Sequence, residues 1–356
     1  MPDRRPPKIL TRLYSAFLLL GIALGWLFPQ IGRALPTFRL NLGFTVFPLT
    51  PVFDFLFIVM FLSLLQIDLK KVRDYVARPR YWLLNLGFIL VSFLILPWLW
   101  FWAGKAFHLD PELLFGLVFT IIAPTILLAP VFTEFVNGDK ELAFVLSAFA
   151  TLISPFIIPL VSGWLLEKSY HFNQLEILLK GLALIVLPLG MKILLDAWDW
   201  NPLRRRSKSA ATWTEAVRGT NILLLTLLFC SIIGDNKGWI LSATRSELWF
   251  LLGMGFIQDF GLYWLGWALL SRCPLDRGKA KALTLSLSLK NITLTIGMIQ
   301  SICARAVLPG AVTFIFHAAI FAYITLLGED SLSPQAGVKR LTAKLKKIFY
   351  REAAHE

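Results

Sequence analysis

What most restricts the fold of this chain is a succession of apolar runs long enough to cross a lipid bilayer. A helical span needs about 20 mostly apolar residues to cover roughly 30 Å of hydrocarbon. Reading apolar runs against charged breaks gives ten candidates: 13–30, 48–66, 81–104, 113–136, 142–166, 175–195, 219–233, 248–271, 282–304 and 306–327. The seventh is short and the last two nearly touch, so the sequence supports nine or ten spans. Inside hydrocarbon every backbone polar group must be satisfied within the segment, which makes runs of this length helices. The expected fold is an all-α polytopic membrane protein. Stretch 37–47 is expected to be an interfacial helix, because Pro48 and Pro51 interrupt its continuation.

Composition agrees. Hydrophobic residues make up 57% of the 356 residues and charged residues 16%, against about 45–50% and 25% in soluble domains. The net charge of +13 could suggest nucleic acid. The basic residues, however, fall between apolar runs rather than on one soluble module, which fits an anionic lipid surface. The expected partners are therefore the bilayer and a small molecule, with no nucleic acid. Cys230, Cys273 and Cys303 are odd in number and unclustered, so neither a disulfide framework nor a metal site follows. No phosphate loop, metalloprotease helix or nucleophile elbow is present, and no cofactor is expected. Met1 to Arg12 is short and basic and runs into apolar sequence without a small-residue cleavage site, as a retained first helix would.

Loop charges set an orientation. With both termini on the cytoplasmic side, 25 of the 35 Lys and Arg residues fall in inner segments and 7 in outer loops, the bias of the positive-inside rule. The clusters Lys70-Lys71-Val72-Arg73 and Arg204-Arg205-Arg206 mark two inner loops. Trp98, Trp100, Trp102, Trp198 and Trp200 lie at span ends, where amphipathic rings favour the interface. Ten spans divide into two sets of five, residues 1–170 and 171–327, followed by a basic cytoplasmic tail, 328–356. An odd number per half forces the second half to run opposite to the first, an inverted repeat in which spans four and nine correspond.

Both of those spans carry helix-breaking or polar features in mid-run. Span four contains Pro124-Thr125 and Ala129-Pro130, then Thr133-Glu134. The two prolines remove backbone donors and clash with the preceding turn, and exposed backbone at that depth must be buried in protein or line a wet cavity. Span nine reads Ser286-Leu287-Ser288-Leu289-Lys290-Asn291. A lysine in mid-membrane costs at least about 2.5 kcal/mol on insertion scales and faces the interior. Within the spans only Asp54, Glu134, Glu176, Lys180, Lys192, Asp259 and Lys290 are charged. Five lie close to span ends, where long side chains reach water. Asp259 and Lys290 sit near mid-span at similar depth, so they are expected to pair. Asp259 is twelfth in span eight, as Ser92 is in span three. His317, the only histidine within a span, is expected to be packed and hydrogen-bonded.

These motifs resemble the bile acid:sodium symporter family, within the bile/arsenite/riboflavin transporter superfamily. The resemblance rests on Ala123-Pro124, Val131-Phe132-Thr133, Gly138-Asp139, Ser147 through Pro155, and Pro159, with Lys290-Asn291 similar to that family's crossover helix. It implies ten helices in a panel and a core, with helices four and nine discontinuous and crossing at the midplane. The implied activity is sodium-coupled uptake of organic anions. The departures fall on the sodium ligands. Ala129-Pro130 stands where the family has a Ser-Asn pair, and Ala143 and Ser147 stand where it has a helical serine and threonine. Ser286 replaces the sodium-binding glutamate, Lys290 a glutamine, and Ser92 the glutamine of span three. The span-four cysteine of arsenite exporters is absent.

Losing one carboxylate and gaining one ammonium changes the local charge by two units, and a unit charge at 4 Å is worth about 4 kcal/mol at an effective dielectric of 20. The expected function is alternating-access transport of a small organic anion, either uncoupled or proton-linked. Pro124, Thr125, Ala129, Pro130, Thr133, Ser286, Ser288, Lys290 and Asn291 would form the central site, with Asp259 and Lys290 as its ion pair. The rival readings are a lipid-modifying membrane enzyme and a non-transporting sensor. The loops hold no cluster of catalytic carboxylates or histidines for the first, and no signalling domain is attached for the second.

Overall fold

A computed structural model describes residues 9–33, 38–41, 46–49, 51–65, 73, 82–167, 169–198, 208–300, 302–340 and 342–343. The basic clusters at Lys70-Lys71 and Arg204 to Arg206, Trp200, and the tail lysines Lys344, Lys346 and Lys347 lie outside them. The described chain is overwhelmingly helical. It opens with α1 (Ile9–Leu27) and a short hairpin of β1 (Phe38–Asn41) and β2 (Val46–Leu49), then α2 (Pro51–Leu65) and α3 (Leu83–Ala106). Next come α4 (Pro111–Ile122), α5 (Ala129–Phe135), α6 (Lys140–Leu166), α7 (Gln174–Ala197) and α8 (Lys208–Ser242). The chain continues through α9 (Arg245–Leu270), α10 (Arg277–Ser288), α11 (Ile292–Ile299) and α12 (Leu308–Leu327).

Six helices among the described residues are long and apolar enough to cross a membrane, and Ala16–Leu27, Phe53–Leu65 and Pro111–Ile122 are shorter apolar helices. The chain is an integral membrane protein. Along α3, Leu83, Leu86, Leu90 and Leu94 are all exposed. Their spacing of three and four residues paints one helix face with leucine, a surface suited to lipid tails.

Two elements differ from the expectations. The interfacial helix expected over 37–47 is replaced by the hairpin, with Phe38 paired to Leu49 and Arg39 to Pro48. Phe38-Arg39-Leu40-Asn41 alternates apolar and polar, the period of a strand. Pro48 is tolerated because a two-stranded ribbon consists only of edges. The seventh span, short by hydropathy, is part of the 35-residue helix α8. Span four and span nine are interrupted as expected, each being two helices, α4 with α5 and α10 with α11.

The helices that begin in loops start on capping side chains. Asp110 accepts from Glu112 N at 2.9 Å, and Asp139 from Leu142 N at 3.0 Å. Asn173 accepts from Leu175 N at 3.0 Å and Asp276 from Gly278 N at 2.9 Å, while Thr244 and Glu247 form a capping box. At α5 and α11 no side chain caps the first turn.

Helices pack closely where small residues allow it. Gly21 and Gly25 of α1 lie against α8, where an added Cβ would come within 2.4 Å of Thr226 O and 2.5 Å of Cys230 O. This is the small-xxx-small contact of membrane helices, which gains van der Waals contact by bringing backbones together. The main core surrounds the broken helices and includes Phe115, Phe119, Ile122, Phe132, Leu289, Ile292 and Phe321, all buried. Two of the long helices are locally underwound into π turns, Val91–Ile95 in α3 and Ile257–Gly261 in α9. Such turns are rare and often mark functional positions.

Candidate functional site

Pro124 decides where α4 ends. It offers no N–H, and the residue before a proline is pushed out of the helical region. Ala123 is accordingly extended, at φ −51 and ψ 139. In the second half α10 stops at Ser288, and Leu289 is extended at φ −86 and ψ 95. The two unwound segments meet as an isolated antiparallel bridge between Thr125 and Lys290. Ile126 N donates to Leu289 O at 3.0 Å, and Asn291 N donates to Pro124 O at 2.6 Å. Thr125 Oγ1 adds a bond to Ser286 O at 2.6 Å. Each break thus satisfies backbone groups of the other, which is how irregular backbone survives away from water.

Thr125, Ala129, Thr133, Ser286, Ser288 and Lys290 all have no accessible surface, and Asn291 has 6%. Thr133 and Ser288 donate to carbonyls of their own helices, Ala129 O at 2.8 Å and Thr284 O at 3.1 Å. Ser147 does the same with Ala143 O at 2.7 Å. These hydroxyl protons are engaged locally. The Ser286 hydroxyl is buried without a hydrogen-bond partner among the described residues.

Lys290 and Asp259 do not pair, contrary to the expectation. The Lys290 ammonium donates to Ser92 Oγ in the π turn of α3. The Asp259 carboxylate, in the π turn of α9, is held by His317 Nδ1 at 2.9 Å. Depth along a helix gives no azimuth: α3 and α12 present the nearer partners. His317 is packed and hydrogen-bonded as its sequence context suggested.

Beside the crossing is a cavity of about 70 Å³ between α2, α8 and the starts of α5 and α11. Its polar wall is Ser63, Asn221, Asn291 and Thr293; its apolar wall includes Met60 and Phe132. Asn221 Nδ2 donates to Ser63 Oγ at 3.3 Å and Thr293 Oγ1 to Asn291 Oδ1 at 2.7 Å. Asn291 Nδ2 points at Met60 Sδ, 3.7 Å away. Of the residues expected at the site, Asn291 lines this cavity. Thr125, Ser286, Ser288 and Lys290 form the crossing itself, while Pro124, Ala129, Pro130 and Thr133 build the flanking break and helix start. Ser63, Asn221 and Thr293 were missed, because single polar residues in apolar runs look alike until the helices are placed. No group of three or more metal-ligating side chains is present among the described residues.

No curated protein matches the chain. A known family does: the one described as Sodium Bile acid symporter family matches residues 54–233. The matched segment covers α2 to the middle of α8, including the first broken helix, and stops before the second. Over half of its length, then, and with two broken helices tied at their breaks, this chain belongs to the sodium bile acid symporter family, a family of membrane transporters.

Proposed function

We infer that the protein moves a small organic anion across the membrane by alternating access, without requiring sodium. The observation that carries this reading is the uncapped start of α11 at the cavity wall. The Asn291 side chain makes no cap bond, and Ile292 and Thr293 begin the helix there. A half-helix start in mid-membrane presents backbone donors and the positive end of a dipole to anionic groups. The cavity of about 70 Å³ beside that start, with Ser63, Asn221, Asn291 and Thr293 on its polar wall, is where the substrate would bind.

The fold fits ten spans in two inverted halves. The π turns fall in α3 and α9, the third and eighth spans, and the breaks fall in the fourth and ninth. On this reading both termini are cytoplasmic and the protein resides in the plasma (inner) membrane. Cysteine labelling from each side is expected to find Lys208 inside and Trp239 outside; both on one face would end the ten-span reading.

The sodium argument rests on Lys290. Its ammonium, fully buried behind the crossing, sits on Ser92, the residue that the resemblance sets where the family has a glutamine. A tethered cation there supplies the positive charge that a sodium ion would bring. Purified protein in liposomes, given small carboxylates under separate sodium, proton and potential gradients, is expected to transport equally well when potassium replaces sodium. A steep sodium dependence would overturn the reading.

A further inference from the structure

Two buried ionisable side chains take no part in the site described above. Asp259 has no accessible surface and His317 has 2%. Nδ1 of His317 lies 2.9 Å from both carboxylate oxygens of Asp259; with the carboxylate ionised, Nδ1 carries the hydrogen and donates it. The opposite ring nitrogen, Nε2, is buried and has no hydrogen-bond partner among the described residues. A proton can be placed on Nε2 or withdrawn from it without breaking a hydrogen bond. Unprotonated, the pair leaves one net negative charge in the membrane interior. Protonated, imidazolium and carboxylate cancel. The balance is one proton from water added to a lone pair, and the same proton returned to water.

Other ionisable groups on the packed elements are occupied elsewhere or lie at their ends. On α9, Glu247 is bonded to Arg305 at 3.3 Å, Arg245 starts the helix, and Tyr263 OH meets Ser331 Oγ at 2.7 Å. Lys281 of α10 is bonded to Glu329, and Glu134 of α5 to Lys140 at 3.6 Å. Glu112 lies in the first turn of α4 and Tyr323 near the end of α12. On α8, Cys230 is buried, while Lys237 bonds Trp26 O at 2.8 Å and Asp235 lies near that end. None of these, nor Lys290, is hydrogen-bonded or ion-paired to Asp259 or His317.

The pair is one aromatic layer from the cavity. The His317 ring stands edge-on to Phe321 at 4.9 Å, and Phe321 stacks on Phe132 at 4.3 Å with planes 8° apart. Phe132 is a cavity wall and belongs to the half-helix α5. We propose that Asp259 and His317 form the binding site of the coupling proton, its arrival on Nε2 resetting the packing of α5 against α12 and so the cavity. This deepens the transporter reading and rests on it. Asp259 fixes the ring and its charge; His317 holds the proton; Phe321 and Phe132 pass the change to the cavity.

The test uses the full chain in lipid with no transported anion, so it stands apart from the flux assay. Nitrogen-15 histidine labelling follows His317 Nε2 between about pH 5 and 9, the range in which histidine changes charge, with His317→Gln identifying the signal. The signal is expected to differ between the two ends of that range, and Asp259→Asn to alter that response. Hydrogen exchange over residues 124–135, corrected for the intrinsic rate, is expected to change about threefold or more between pH 6 and 8. His317→Gln should show no such change. A His317 ring fixed in one state throughout would overturn the proposal. So would a ring that titrates while exchange over 124–135 stays constant, which would make the pair a titrating structural contact. Should His317→Gln fail to fold, the one histidine signal displaced in Asp259→Asn assigns His317 in wild type, and Asp259→Asn serves as the exchange control.

Discussion

Lys290→Met is expected to leave the protein folded, more stable by about 1–4 kcal/mol, and inactive in anion transport. The ammonium has no accessible surface and one side-chain partner, a neutral hydroxyl. Removing an ion from water costs several kcal/mol even after relaxation, and a single hydroxyl offsets only part of that. Methionine has nearly the same length and no charge, so it refills the volume and leaves Ser92 unbonded at a cost of about 1–3 kcal/mol. Lys290→Ala also removes the charge but opens a cavity, and should fall about 2–5 kcal/mol below the methionine variant. Thermal unfolding of the three proteins in one detergent gives the order. A methionine variant that melts below wild type would mean the charge itself holds the crossing together.

Gly116→Ala should be among the most damaging single-methyl changes in the chain. Gly116 lies mid-way along α4, and a Cβ there would come within 1.8 Å of Ala306 O and 2.7 Å of its carbonyl carbon. The obstacle is backbone on both sides, so no side chain can rotate away. Overpacking where side chains can yield already costs about 1–3 kcal/mol, and a forced separation of α4 from the 305–307 turn should exceed it. The Arg305 bridges to Asp110 at 3.0 Å and Glu247 at 3.3 Å would be strained by the same shift. Gly87 and Gly190, which have open space around an added Cβ, are the controls: alanine at either is expected to be neutral or slightly stabilising. A midpoint for Gly116→Ala within a degree of these controls would refute the close approach.

The breaks were legible because their causes are local. Pro124 cannot donate, Ala123 must extend, and a buried Lys290 next to Asn291 is too costly to face lipid, so the sequence marks both interruptions. The capping residues were visible in principle, since Asp110, Asp139 and Asn173 each stand shortly before an apolar run. What periodicity could not supply was azimuth. Asp259 and Lys290 lie at similar depths on neighbouring segments, yet the carboxylate turns to α12 and the ammonium to α3. The π turns add to this, because one extra residue in a turn rotates everything beyond it, and neither Val91–Ile95 nor Ile257–Gly261 has a composition that announces it. The hairpin at 38–49 escaped for another reason: four alternating residues are outweighed by the long apolar runs on either side.

The bridge between Thr125 and Lys290 is made by main-chain atoms. Its two bonds, Ile126 N to Leu289 O and Asn291 N to Pro124 O, depend on no side chain. Substitution at the crossing therefore changes its chemistry while its geometry persists. A lineage could exchange Ser286 or Lys290 for other side chains one step at a time while these main-chain bonds persist. The crossing would behave as a fixed socket whose pins can be replaced. Change of coupling ion within this family would then be an evolutionary drift in side chains, with the architecture inherited unaltered.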